Sequence, residues 1–184
     1  VGLILLYTAS TLFHCFYRVE TKFFKELDQS AVFLLIAGSY TPVLAIAMHS
    51  NILWSRYLLL FMWIVALLGL LHIIMTTGRW KGNISLTLYL TMGWTALICF
   101  PDMRTLMPPE GFFWMLTGGV CYTAGVPFFI LGGFPATAMG HVVWHLFVMA
   151  GSASHWWMIY KHILPIEISQ SCLPEALNLY CLLH

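Results

Sequence analysis

The sequence predicts an all-α protein, a polytopic transmembrane helical bundle. Of its 184 residues, 60% are hydrophobic and only 8% are charged, and the mean hydropathy is +0.85. Soluble domains carry about a quarter charged residues, so this composition belongs in a lipid bilayer. The net charge of +1 gives no electrostatic basis for binding nucleic acid.

Six apolar stretches approach the roughly 20 residues that a membrane-spanning helix needs. They cover residues 1–17, 29–48, 57–75, 84–100, 112–131 and 141–160. The polar connections between them are short, so consecutive helices are expected to run antiparallel. We therefore expect one bundle over residues 1–163 and a tail over 164–184. Because the chain starts inside an apolar run and without Met, we expect it to be a fragment.

The alternation of spans sorts the connections onto two sides of the membrane. Side A holds residues 18–28, 76–83 and 132–140, and side B holds 49–56, 101–111 and the tail. Side A carries five cationic residues and side B three (Arg18, Lys22, Lys25, Arg79 and Lys81; Arg56, Arg104 and Lys161). Cytoplasmic connections are enriched in Lys and Arg, so side A is predicted to be cytosolic and the C-terminus outward.

Five polar side chains stand out within these apolar segments. Ser10 and His14 are four residues apart near the side-A end of the first span, and Asp28 opens the second. His141 and His145 are four apart where the last span begins, also at side A. Polar groups in a bilayer are costly and face a partner, a cavity or the bundle interior. We expect these five residues to lie at one membrane depth.

A metal ion suits this set of residues. Neutral imidazole is a good zinc ligand, and three histidines with one water make an open tetrahedral site. The His141–His145 spacing separates the rings by about 6 Å along the helix axis, and His14 would complete the set. Simpler explanations remain open at this stage. Each histidine can bond a neighbouring helix, Asp28 can be an N-cap, and Ser10 can bond its own helix backbone.

Two other histidines receive weaker interpretations. His72 also lies near side A, where it could line the same cavity or pair with Asp28. His155 is about 20 Å beyond His141 along the helix axis. We therefore expect His155 to be a helix-packing residue rather than a ligand.

The combined motifs resemble the hemolysin III group of the PAQR (progestin and adipoQ receptor) superfamily. They are "STLFH", "LDQSAVFLLIAGSYTPVL" and "GHVVWHLFVMAGSASHWWMIY", and the resemblance extends to about Tyr160. It implies a seven-helix bundle, of which the first helix is missing here. Gln29 departs from the His that follows the Asp in many hemolysin III sequences. The short connections favour the hemolysin III branch over the hormone-receptor branch.

The resemblance implies a zinc ion (Zn²⁺) bound by His14, His141 and His145, with a water held between zinc and Asp28 and with Ser10 close by. It also implies a site toward the cytosolic leaflet, because the family's N-terminus is cytosolic. Adiponectin receptors of the superfamily act on signalling lipids and are linked to ceramidase activity. Membrane lipids, with a ceramide-like sphingolipid as substrate, are therefore the expected partners.

Three functional hypotheses follow from the sequence. The first is a zinc-dependent lipid amide hydrolase that resembles a ceramidase. The second is a non-enzymatic receptor or scaffold in which zinc ties helix ends together. The third is a pore-forming cytolysin, which the sequence disfavours because no span carries a sustained polar stripe to line a conduit.

Overall fold

The computed structural model describes residues 1–16, 21–47, 52–78, 80–132 and 138–165. Nearly all of these residues are helical and none lies in a strand, so the predicted all-α class is confirmed. The helices are α1 Gly2–Phe16, α2 Thr21–Pro42, α3 Ile52–Met75, α4 Lys81–Trp94, α5 Phe100–Leu106, α6 Pro109–Gly132 and α7 Ala138–Met158. Arg18, Arg79 and most of the predicted tail lie outside the described residues.

Three helices continue in a different helical form. A π-helix follows α2 over Val43–Ala47, directly after Pro42, and another follows α7 over Ile159–Ile163. Proline has no N–H for the carbonyl four residues earlier, which explains why the regular helix ends at Pro42. A 3₁₀ turn over Thr95–Cys99 follows α4, so the predicted span 84–100 is helical in two parts.

Two details of the sequence-based assignment are wrong. Helix α2 begins at Thr21, so Asp28 lies two turns inside the helix and is not its N-cap. Residues 101–111 were predicted as a connection, yet α5 reaches Leu106 and α6 starts at Pro109. At the start of α2, polar residues that resemble a loop continue the helix, because Lys and Glu are good helix formers.

Within the described part of the chain, three helical segments are long and apolar enough to cross a membrane: Lys22–Ile46, Trp54–Met75 and Pro109–Leu131. Helix α1 is apolar but has only 15 residues. Helix α7 has 21 residues, and its histidines and serines lower its hydropathy. Many large apolar side chains on α3 are exposed, as a lipid-facing surface requires (Leu60, Phe61, Leu67, Leu68, Leu71).

The described helices group into two compact units, of which the first comprises Val1–Ala45 and Ser50–Phe100. Helix α2 is its centre and packs against α1, α3 and α4. Phe33 and Ala37 on α2 are completely buried. Gly69 on α3 allows the Phe33 ring to approach the α3 backbone, since a Cβ there would overlap the ring. The Tyr40 hydroxyl donates to the carbonyls of Met92 and Gly93 at 2.9 Å each.

The second unit comprises Ile46–His49 and Pro101–His184, and its described core is the α6–α7 pair. The Trp144 ring and the Phe147 Cβ pack onto Gly125. The ring of His155 rests on Gly118, and its Nε2 donates to the carbonyl of Met115 at 3.1 Å. The prediction that His155 is a helix-packing residue is confirmed. That residues 1–163 form one bundle stays a prediction.

Candidate metal centre

In the first unit, three of the predicted site residues come together where α1 packs against α2. Ser10 and His14 are one turn apart on α1, and Asp28 lies in the second turn of α2. The Ser10 hydroxyl donates a hydrogen bond to the Asp28 carboxylate, and His14 is close enough to act on that carboxylate electrostatically. Asp28 therefore has a fixed neighbour on α1, and Ser10 is more than a hydrogen-bonding partner of its own helix.

Tyr89 on α4 is a residue of this region that the sequence analysis missed. Its hydroxyl donates to the backbone carbonyl of Gln29 at 2.7 Å, and its ring lies 4.5 Å from that of Phe33, centroid to centroid. The contact holds the helical turn that carries Asp28. The hydrogen bond is to the backbone carbonyl of residue 29. It therefore does not depend on whether the side chain there is Gln or the His of many hemolysin III sequences. A tyrosine in an apolar helix gives no local sequence signal for this role.

In the second unit, His141 and His145 direct their rings at each other. Both are half-buried, and their Nε2 atoms are 3.0 Å apart, with ring planes at 90°. One turn of α7 brings them together, as the four-residue spacing predicted. Two nitrogens bound to one tetrahedral zinc at 2.0–2.1 Å lie about 3.3 Å apart. The pair therefore fits two ligands of one ion, and without a metal the same distance is an N–H···N hydrogen bond.

The chemistry of the donors also favours a metal. His141 and His145 each offer one imidazole nitrogen in the second unit, and His14 offers another in the first. Imidazole suits zinc among the common biological cations. Asp28 supplies a carboxylate beside His14, which is the kind of group that orients a ligand or a metal-bound water.

His72 does not make the contact with Asp28 that the sequence left open. Its Nδ1 pairs with the Thr76 hydroxyl on its own helix at 3.0 Å. Its Nε2 is buried and has no hydrogen-bond partner in the described part of the chain. The pairing with Asp28 is therefore not observed.

One known protein family matches this chain. The profile described as "Haemolysin-III related" matches residues 1–156, which include all five predicted site residues.

The chain belongs to the haemolysin-III-related family. Hemolysin-3 of Bacillus cereus is 35% identical over 166 residues, which are 90% of this chain and 73% of that protein. The Hemolysin-3 homolog of Bacillus subtilis (strain 168) is 35% identical over 155 residues, 84% of this chain and 70% of the homolog. The human monocyte to macrophage differentiation factor is 29% identical over 173 residues, 89% of this chain and 68% of its own length. No solved structure matches.

The resemblance deduced from the three motifs is thus confirmed for this haemolysin-III-related chain. Family membership and the three long apolar helices together identify an integral membrane protein.

Proposed function

We propose that this protein is a zinc-binding membrane hydrolase of lipid amides, with His14, His141 and His145 as the zinc ligands. The observation that carries the proposal is the 3.0 Å approach of the His141 and His145 Nε2 atoms on α7. Two imidazoles directed at one point within an apolar helix suit an ion better than a solvated surface. His14 is the proposed third ligand, as the resemblance implies. It lies beside Asp28, the acidic residue of the first unit.

The residues of the first unit supply the proton chemistry. When bound, zinc is a Lewis acid that makes a water molecule acidic near neutral pH. The Asp28 carboxylate accepts the proton of the water that attacks the amide carbonyl, and then returns it to the leaving amine. The Ser10 hydroxyl, which donates to Asp28, fixes the orientation of the carboxylate. The products are a fatty acid and an amine.

Membrane lipids of the ceramide class are the proposed substrates. The amide of such a lipid lies near the polar–apolar boundary of the bilayer, and the protein exposes large apolar side chains to that environment. The resemblance to a superfamily with lipid-acting members supports the same class. No protein partner is proposed.

Hydrolysis by purified protein tests the proposal. With a fluorescent ceramide in mixed micelles, we expect amide cleavage that stops when a chelator removes zinc and returns when zinc, but not magnesium, is added back. Cleavage that continues in metal-free protein would contradict the mechanism. Protein that holds zinc but cleaves no lipid amide would instead favour the receptor or scaffold with a structural zinc.

We also propose that the zinc site lies toward the cytosolic leaflet, with the C-terminus outward, because side A has the larger share of Lys and Arg in the sequence. Lys25 and Glu110 are exposed residues on opposite predicted sides. A membrane-impermeant maleimide on intact cells should label Glu110→Cys, and should label Lys25→Cys only after permeabilisation. Labelling of the unsubstituted protein gives the background from its own cysteines. The reverse pattern would invert the proposed topology.

A further inference from the structure

The core of the second unit is rich in methionine. Among its described residues, five apolar side chains are buried: Met103, Met107, Met115, Met158 and Ile163. Leucine and isoleucine usually fill such positions, because methionine is flexible and specifies packing poorly. A methionine thioether also carries a polarisable sulfur that can bind a soft metal.

The same unit contains a histidine whose Nε2 has no hydrogen-bond partner among the described residues. His162 belongs to the π-helix Ile159–Ile163 that extends α7. Its Nε2 is buried and makes no hydrogen bond with the described residues, a state it shares with His72 of the other unit. Leaving a buried polar nitrogen unpaired is costly, so a ligand that bonds this atom would stabilise the protein.

The histidine and one of the methionines meet at Gly111, in the first turn of α6. The point where a Cβ of Gly111 would lie is 3.1 Å from Cγ of His162 and 3.1 Å from Cε of Met107. The imidazole and the thioether are therefore neighbours, and glycine leaves them room. Met103 precedes Met107 by one turn, and the Met107 N–H donates to the Met103 carbonyl at 2.9 Å. The Met103 side chain is also buried.

We propose that Met103, Met107 and His162 form a site for a soft monovalent cation, Cu(I). Thioethers and neutral imidazole are ligands that Cu(I) accepts, whereas Mg²⁺ and Ca²⁺ need oxygen ligands. No buried acidic side chain is found among the described residues, and the three proposed ligands offer no oxygen of the kind that a hard divalent cation requires. The site is independent of the proposed zinc centre, since His162 is roughly 25 Å from His145 by helical rise.

The five cysteines are first alkylated so that no thiol can bind the metal. The test is then a Cu(I) titration of the zinc-loaded, detergent-purified protein under reducing conditions, with a chromophoric Cu(I) chelator as competitor. We expect one Cu(I) per chain and sulfur scattering from the metal in X-ray absorption. Met107→Leu and Met103→Leu preserve side-chain volume. Each should weaken Cu(I) binding by more than ~10-fold, the loss of metal affinity typical of removing a residue that only hydrogen-bonds to a metal ligand. His162→Gln should do the same.

Two kinds of variant make the result specific. Met75 and Met139 are exposed, and their replacement by Leu should leave the Cu(I) affinity unchanged. His145→Ala should retain the sulfur signal, because it alters only the proposed zinc ligands. Nitrogen scattering alone, sulfur scattering that survives both Met103→Leu and Met107→Leu, or no Cu(I) bound at all would each overturn the proposal.

Discussion

Replacing Asp28 by Ala is expected to slow lipid-amide hydrolysis by roughly 10²–10⁴-fold, the contribution typical of a general base. Bound zinc should be largely retained, because the proposed ligands are the three histidines. The Ser10 hydroxyl and the Asp28 carboxylate form a hydrogen-bonded pair, so Ser10→Ala should produce a smaller loss in the same direction. The measurement is kcat/KM of purified protein, with the zinc content of the same samples determined in parallel.

Glu26 provides the matched control for Asp28. It is an acidic residue of the same helix, two positions earlier, and its carboxylate pairs with the Lys81 ammonium at 2.9 Å. Losing such a partly exposed ion pair costs at most about 1 kcal/mol. Glu26→Ala should therefore keep wild-type hydrolysis. Undiminished hydrolysis by a zinc-bearing Asp28→Ala protein would show that Asp28 is not the base.

Replacing His145 by Ala is expected to abolish the stabilisation that zinc gives to the folded protein. A ligand present at 1,000 times its Kd stabilises a protein by about 4 kcal/mol, which corresponds to roughly 10 °C in Tm for a chain of this size. The wild-type protein should melt at a temperature that rises with added zinc. The variant should melt at a temperature that does not depend on zinc.

His155 is the matched control for His145. It lies on the same helix, donates to the Met115 carbonyl and packs against Gly118. His155→Ala should lower Tm through lost packing, yet its Tm should still rise with zinc. If the His145→Ala protein kept the zinc response of the wild type, His145 would not be a ligand.

The helices and much of the candidate centre could be predicted from the sequence, because both depend on local spacing. A four-residue interval places Ser10 with His14, and His141 with His145, on one helical face whatever the tertiary structure. The start of α2 was predicted too late, since Lys22, Lys25 and Glu26 resemble a connection although they favour helix. The sequence therefore left open that Asp28 caps α2, and its position inside that helix excludes this role.

Contacts that depend on how helices rotate against each other could not be predicted. The hydrogen bond from Tyr89 to the Gln29 carbonyl joins residues 60 positions apart and depends on how α4 is turned toward α2. The approach of Phe33 to Gly69 has the same origin. The Met107–His162 pair at Gly111 was equally hidden, because neither residue belongs to a recognisable ligand motif.

Metal analysis of the detergent-purified protein, with His145→Ala beside the wild type, tests the central claim most directly. The proposal predicts close to one zinc per chain in the wild type and close to none in the variant. A wild-type protein that contains no zinc, and takes up none when it is supplied, would contradict both the hydrolase and the structural-zinc alternative.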